Sequence, residues 1–136
     1  MAQSDWIFAL EDRIFTVVKT RAKKELIEKF PSIKFTTSDK PTSDPSYPTV
    51  YIHEIPGYEI GGDLCGTDIN SIYYQMQIEV YGNTNKADVK DVMQVVTNIL
   101  KDLKFQIVLS PNFTSTNPTY RLVMTVKRTI GQSDKF

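Results

Sequence analysis

Residues that carry chemistry are scarce in this chain. It holds one cysteine, Cys65, and one histidine, His53. A lone cysteine excludes an internal disulfide and any cysteine-based zinc cluster. Neither sign of charge prevails: 16 lysines and arginines balance 16 aspartates and glutamates, so no global field draws the chain to nucleic acid or to an anionic membrane. No apolar run approaches the roughly 20 residues that span a bilayer. Met1–Asp5 lacks the basic start and apolar core of a secretory leader. These absences fit synthesis in a reducing cytoplasm.

What is present is a core. Apolar residues make up 40% of the chain, too many for a disordered segment and enough to bury an interior. At 136 residues the chain fits a single domain spanning 1–136, since either half alone would be short of core.

Ile7, Leu10, Ile14, Val18, Ala22, Leu26 and Phe30 recur at steps of three or four, which predicts one long helix capped by Ser4 and stopped by Pro31. Ile33–Thr37 reads as a short strand. Ser38–Pro48 holds three prolines, two aspartates and three serines, and reads as an irregular loop. Thr49–Ile55 is rich in β-branched and aromatic residues and predicts a strand ended by Pro56 and Gly57. From Ile69 to Tyr81 the alternation is clearest: Ile72, Tyr74, Met76, Ile78 and Val80 point one way, Tyr73, Gln75, Gln77, Glu79 and Tyr81 the other. A long hairpin joining these two strands is the economical reading.

After the turn Gly82–Asn85, a second helix is expected over about Lys86–Leu103, with a wide apolar face from Val89 to Leu103. Phe105–Leu109 reads as a strand, Ser110–Pro118 as a polar loop, and Thr119–Ile130 as the last strand. The expected class is therefore α+β in the order α-β-β-β-α-β-β, an antiparallel or mixed sheet with two helices on one face.

A search for catalytic or ligand sites finds little. His53 shares a strand face with Tyr51 and Ile55, and no nearby spacing supplies the partner a general base needs. Cys65 lies in a glycine-containing loop whose nearest charge is acidic Asp63, which does nothing to favour a thiolate. The glycines lack a phosphate-loop pattern. Asp63 and Asp68 flank that loop without a calcium-loop motif. Lys19, Arg21, Lys23 and Lys24 read as the wet face of the first helix. No catalytic residue, cofactor or metal ligand is expected.

Contact surfaces are the better candidates. Tyr58, Ile60 and Leu64 in one loop and Phe113 in the other place apolar side chains among polar ones, the composition of a contact surface. Glu79, Arg121 and Lys127 belong to a strand face that meets either water or a polar protein surface. Pairing of Glu79 with Arg121 or Lys127 across strands is the plain alternative.

The helix ending at Phe30-Pro31, then Tyr47–Ile55, Tyr73–Tyr81, the run from Asn98 through Leu103-Lys104-Phe105, and the closing Tyr120–Thr125 follow one another in a family-like order. In that order and spacing the chain resembles the tail terminator (tail completion) proteins of tailed bacteriophages. The resemblance implies a virion protein made in the host cytoplasm, which forms a homohexameric ring and caps the tail tube. It would stop tube growth, face the head's connector or stopper protein, and let DNA pass through the lumen on non-specific contacts. It implies no catalytic residue and no membrane. Head-tail joining (neck) proteins and tail-tube subunits share the size and architecture. Tube subunits carry a long β-hairpin arm, and Pro56–Asp68 reads as a shortened one.

Two other classes stay open. A small enzyme or ligand-binding domain would need His53, Cys65 and the Asp63–Asp68 loop to converge on a pocket. A cellular scaffold unrelated to phage would need no such convergence.

Overall fold

The apolar positions read from the sequence fall on two helix stripes and one face of a sheet. The computed structural model of the chain describes residues 5–37, 47–62, 69–116, 119–131 and 133–136. Its elements are α1 (Asp5–Phe8), α2 (Leu10–Leu26), β1 (Lys34–Thr36), β2 (Thr49–Gly62), β3 (Ile69–Gly82), α3 (Lys86–Asp102), β4 (Gln106–Ser115) and β5 (Tyr120–Gly131). The five strands form one sheet in the order β1-β2-β3-β5-β4. β1 lies parallel to β2 and the other pairings are antiparallel, so the sheet is mixed and the class is α+β.

Leu10, Ile14, Val18, Ala22, Leu26 and Phe30 are all buried, as their spacing predicts. Glu11 and Asp12 open α2 while Lys23 and Lys24 close it, the polarity the helix dipole favours. The helix is not continuous, however. Ala9 sits at φ −93°, ψ −7° between α1 and α2, and its N–H reaches back three residues to the Trp6 carbonyl. Regular α-helix ends at Leu26 rather than Phe30, although the Ile27 and Phe30 N–H groups still bond the Lys23 and Leu26 carbonyls before the chain turns away at Pro31. Ser4, expected as the cap, lies outside the described residues.

α3 is better defined at both ends. The Asn85 side chain accepts the Asp88 N–H at 2.8 Å, satisfying one of the open donors of the first turn. At the other end Phe105 N–H bonds the Leu100 carbonyl and Lys104 N–H the Lys101 carbonyl. That is a Schellman closure, with Lys104 at φ 72° in the position glycine usually takes.

In the sheet, Val50 and Ile52 pair with Val80 and Ile78, which pair in turn with Leu122 and Met124. This row faces the helices and is fully buried. Tyr74 shares that face but sends its hydroxyl to Glu54 Oε2, 2.9 Å away. Burial first, then the Glu54 charge and hydrogen bond, push its phenol far above the ordinary value. No described helix is long and apolar enough to cross a membrane.

Two strands run on where the sequence predicts loops. β2 continues past Ile55 to Gly62, with a register shift between Ile55 and Tyr58 marking a bulge at Pro56-Gly57. Glycine is required there by close approach: a Cβ on Gly57 would lie 2.0 Å from the Tyr73 carbonyl oxygen. β4 continues through Pro111 to Ser115 with three register shifts. Proline is tolerated there because β4 is an edge strand and Pro111 need not donate to a ladder.

Candidate functional site

The face of the sheet turned away from the helices carries a closed polar cluster centred on Glu79. β2–β3 register sets Tyr51 opposite Glu79, and β3–β5 register sets Tyr81 opposite Arg121. His53, two residues along β2, stacks on Tyr51 with centroids 4.2 Å apart and reaches diagonally to the carboxylate. Its Nε2 lies 3.0 Å from Glu79 Oε2. The other oxygen accepts the Tyr81 hydroxyl at 2.7 Å and the Arg121 Nε–H at 2.7 Å. Arg121 Nη2 also contacts that oxygen, while its Nη1 donates to Thr114 Oγ1 on β4 at 2.7 Å.

Glu79 is only 3% exposed. Burial alone would raise its pKa, but the hydrogen bonds from Tyr81, Arg121 and His53 and the charge of Arg121 outweigh it. The carboxyl is held below its ordinary range. An ionised carboxylate only accepts hydrogen bonds, so His53 Nε2 carries the proton in this arrangement. Burial and the bond to Glu79 push the Tyr81 phenol up to about 12, against the opposing pull of Arg121. A carboxylate so occupied has little capacity left for a substrate proton. The cluster ties β2, β3, β4 and β5 together through side chains.

Glu79 and Arg121 are thus brought together, as one of the two expected pairings. Lys127 is not: it lies opposite Gln75, and its ammonium sits 5.3 Å from the Tyr73 ring centroid. Glu79 is corrected from a surface contact to a buried one. Phe113, expected on an exposed loop, is half-buried on β4. Its ring meets Tyr120 edge-on at 6.3 Å and lies under the ammonium groups of Lys86 and Lys90, at 5.4 and 5.9 Å. Tyr58 and Ile60 are on β2 rather than in a loop, and their side chains lie outside the described part of the structure. Leu64, Cys65, Asp63 and Asp68 lie outside the described residues. Among the described residues, no three His, Cys, Asp or Glu side chains gather where they could hold a metal ion.

Both edges of the sheet are blunted. β1 covers β2 only as far as Tyr51. Beyond it, the outward Glu54 N–H is taken by the Glu11 carboxylate at 2.8 Å, and Pro56, at the next outward position, has no N–H to offer. On the far edge, bulges and Pro111 interrupt β4. Such edges discourage strand addition from another chain. The bulges leave Val108 and Leu109 in solvent, 42% and 62% exposed.

Between α3 and β4 runs a groove of about 600 Å³, floored by Met93, Ile107, Phe113 and Leu122 and rimmed by Lys90 and Gln94. Sequence reading misses it because α3 buries its apolar face on β3 and β5, leaving the β4 side open. A second exposed apolar group is Phe8, 85% exposed. Trp6 turns into the core, and two residues of helix carry Phe8 about 200° round from it.

No family model and no curated protein matches the sequence. Among solved structures, a protein without a descriptive name is similar at a TM-score of 0.53 and 12% identity, covering 91% of this chain and 97% of its own. That likeness concerns the fold.

Proposed function

We propose that the chain is a structural subunit of a phage tail, which assembles as a ring on the end of the tail tube, ends its growth and joins it to the head connector. The observation that carries this reading is the order of elements. The segments that carry the terminator resemblance lie on β2, β3, α3 and β5, and their being regular elements of one fold supports the reading. The electrostatics agree with it: the His53–Glu79 pair is locked into a network with Tyr81 and Arg121. The apolar groove, Phe8 and the Val108–Leu109 pair supply surface suited to protein contact.

A tail-tube subunit is the second reading, favoured by one feature: β2 and β3 each run 14 residues, a longer hairpin than the sequence predicts. Deleting the gene from its phage separates the two. A terminator deletion leaves tubes of uncontrolled length that fail to join heads; a tube-subunit deletion leaves no tubes at all. Particles of normal length and infectivity would falsify both.

A further inference from the structure

The groove between α3 and β4 has an apolar floor and charge of one sign only. Met93, Ile107, Phe113 and Leu122 line it, and at about 600 Å³ it lies within the size range of ordinary binding sites. Lys86 and Lys90, both exposed, hold their ammonium groups 5.4 and 5.9 Å from the Phe113 ring centroid. Neither pairs with a carboxylate among the described residues.

The acids of α3 are engaged elsewhere. Asp91 pairs with Lys29 and Asp102 with Arg21, on the α2 side of the helix. Asp88 accepts the Thr84 hydroxyl and lines a separate small pocket with Phe30 and Pro48. β4, the opposite wall, has no charged residue from Gln106 to Ser115. Charge complementarity therefore asks for an acidic partner, and the floor asks for apolar anchors.

The shape of that partner follows from β4. Three register shifts and Pro111, which has no N–H, interrupt it, so an added strand would find no continuous ladder. Side chains have to make the contact. The α3 wall runs from Lys90 to Thr97, about 10 Å or two helical turns. Over that length an amphipathic helix presents anchors at steps of three and four. Val108 and Leu109, 42% and 62% exposed, lie between the lining residues Ile107 and Pro111 and extend the apolar area to be covered.

We infer that this groove is the docking site for an acidic amphipathic helix of another protein. Its apolar stripe seats on Met93 and Phe113, and its carboxylates meet Lys86 and Lys90. The groove's lining and charge select that partner whether or not the chain belongs to a tail.

A yeast-displayed library of random peptides about 14 residues long, about four helical turns, is selected against the full chain. Enriched peptides should be acidic, with apolar residues three and four apart. A synthetic copy of the leading peptide should gain helical circular dichroism on binding and shift the amide resonances of Met93, Gln94, Ile107 and Phe113. Lys86→Glu with Lys90→Glu, both at exposed positions, should weaken binding by about tenfold or more, and added salt should weaken it in the parent. Circular dichroism of the double variant checks the fold. A selection that enriches no peptide, or only basic or neutral ones, overturns the inference. So do resonance shifts confined to other surfaces, or an affinity unchanged by the double charge reversal. Loss of peptide binding as the chain concentration rises would assign the groove to a second copy and overturn it as well.

Discussion

The Glu79 carboxylate and the Arg121 guanidinium meet on a sheet face that no described helix covers, yet Glu79 is 3% exposed and Arg121's side chain only 26%. Removing one partner leaves the other desolvated. Glu79→Ala should therefore cost about 3 kcal/mol in chemical denaturation, the lower end for a broken buried pair because Arg121 reaches solvent. Replacing both, as Glu79→Met with Arg121→Met, should cost less than the sum of the single changes. Additive losses would mean the pair is not coupled.

The cluster also sets a pH dependence with two limbs. Glu79 has a folded pKa below its unfolded value of about 4.3. Its contribution is present above that unfolded value and is lost as pH falls through the folded one. Tyr81 has a folded pKa raised to about 12. Its contribution is full below the unfolded phenol value of about 10 and is lost as pH rises toward 12. Stability measured from pH 6 down to pH 2.5 should fall less steeply in Glu79→Gln than in the parent. Between pH 10 and 12 it should fall less steeply in Tyr81→Phe.

Lys104 holds φ 72° at the end of α3. Left-handed backbone burdens any side chain but glycine, so Lys104→Gly should stabilise the chain by about 0.5–1 kcal/mol once the flexibility of unfolded glycine is subtracted. A thermal melt reads this directly. A lower midpoint would show that the Lys104 side chain contributes more than its backbone strain removes.

Gly57 faces the opposite constraint. Any Cβ would strike the Tyr73 carbonyl, so Gly57→Ala should destabilise by about 1–3 kcal/mol as an overpacked site does. Hydrogen exchange should locate the damage in the distal β2–β3 ladder and spare the Thr49–Ile52 rungs. Uniform loosening of the whole sheet would contradict a local bulge.

The elements legible in the sequence are those whose signal is local. Asn85 caps α3 two residues after Asn83, and the Ile72–Val80 alternation names the buried face of β3 because a strand with one covered face must alternate. Proline and glycine mislead in β2 and β4, where they act as stops only if a ladder needs their N–H or side chain. Pro56 lies past the last β1–β2 rung among the described residues and Pro111 on an edge strand, so neither ends its strand. The His53–Glu79 contact is invisible for another reason. It joins residues 26 apart through a register fixed by the bulge, although a glutamate set between Ile78 and Val80 was itself a hint of a partnered charge. The α3–β4 groove depends on how far a helix overlaps an edge strand, which no short window of sequence encodes.

In the proposed role, copies of this chain close the end of a tail tube. Electron microscopy of tubes from the same phage, incubated with the purified chain carrying a gold label, measures this most directly. In that role label sits at one end only of each tube, as a ring, with no further growth when tube subunits are added. Label scattered along the tube wall, or tubes that lengthen as fast with the chain as without it, would contradict it.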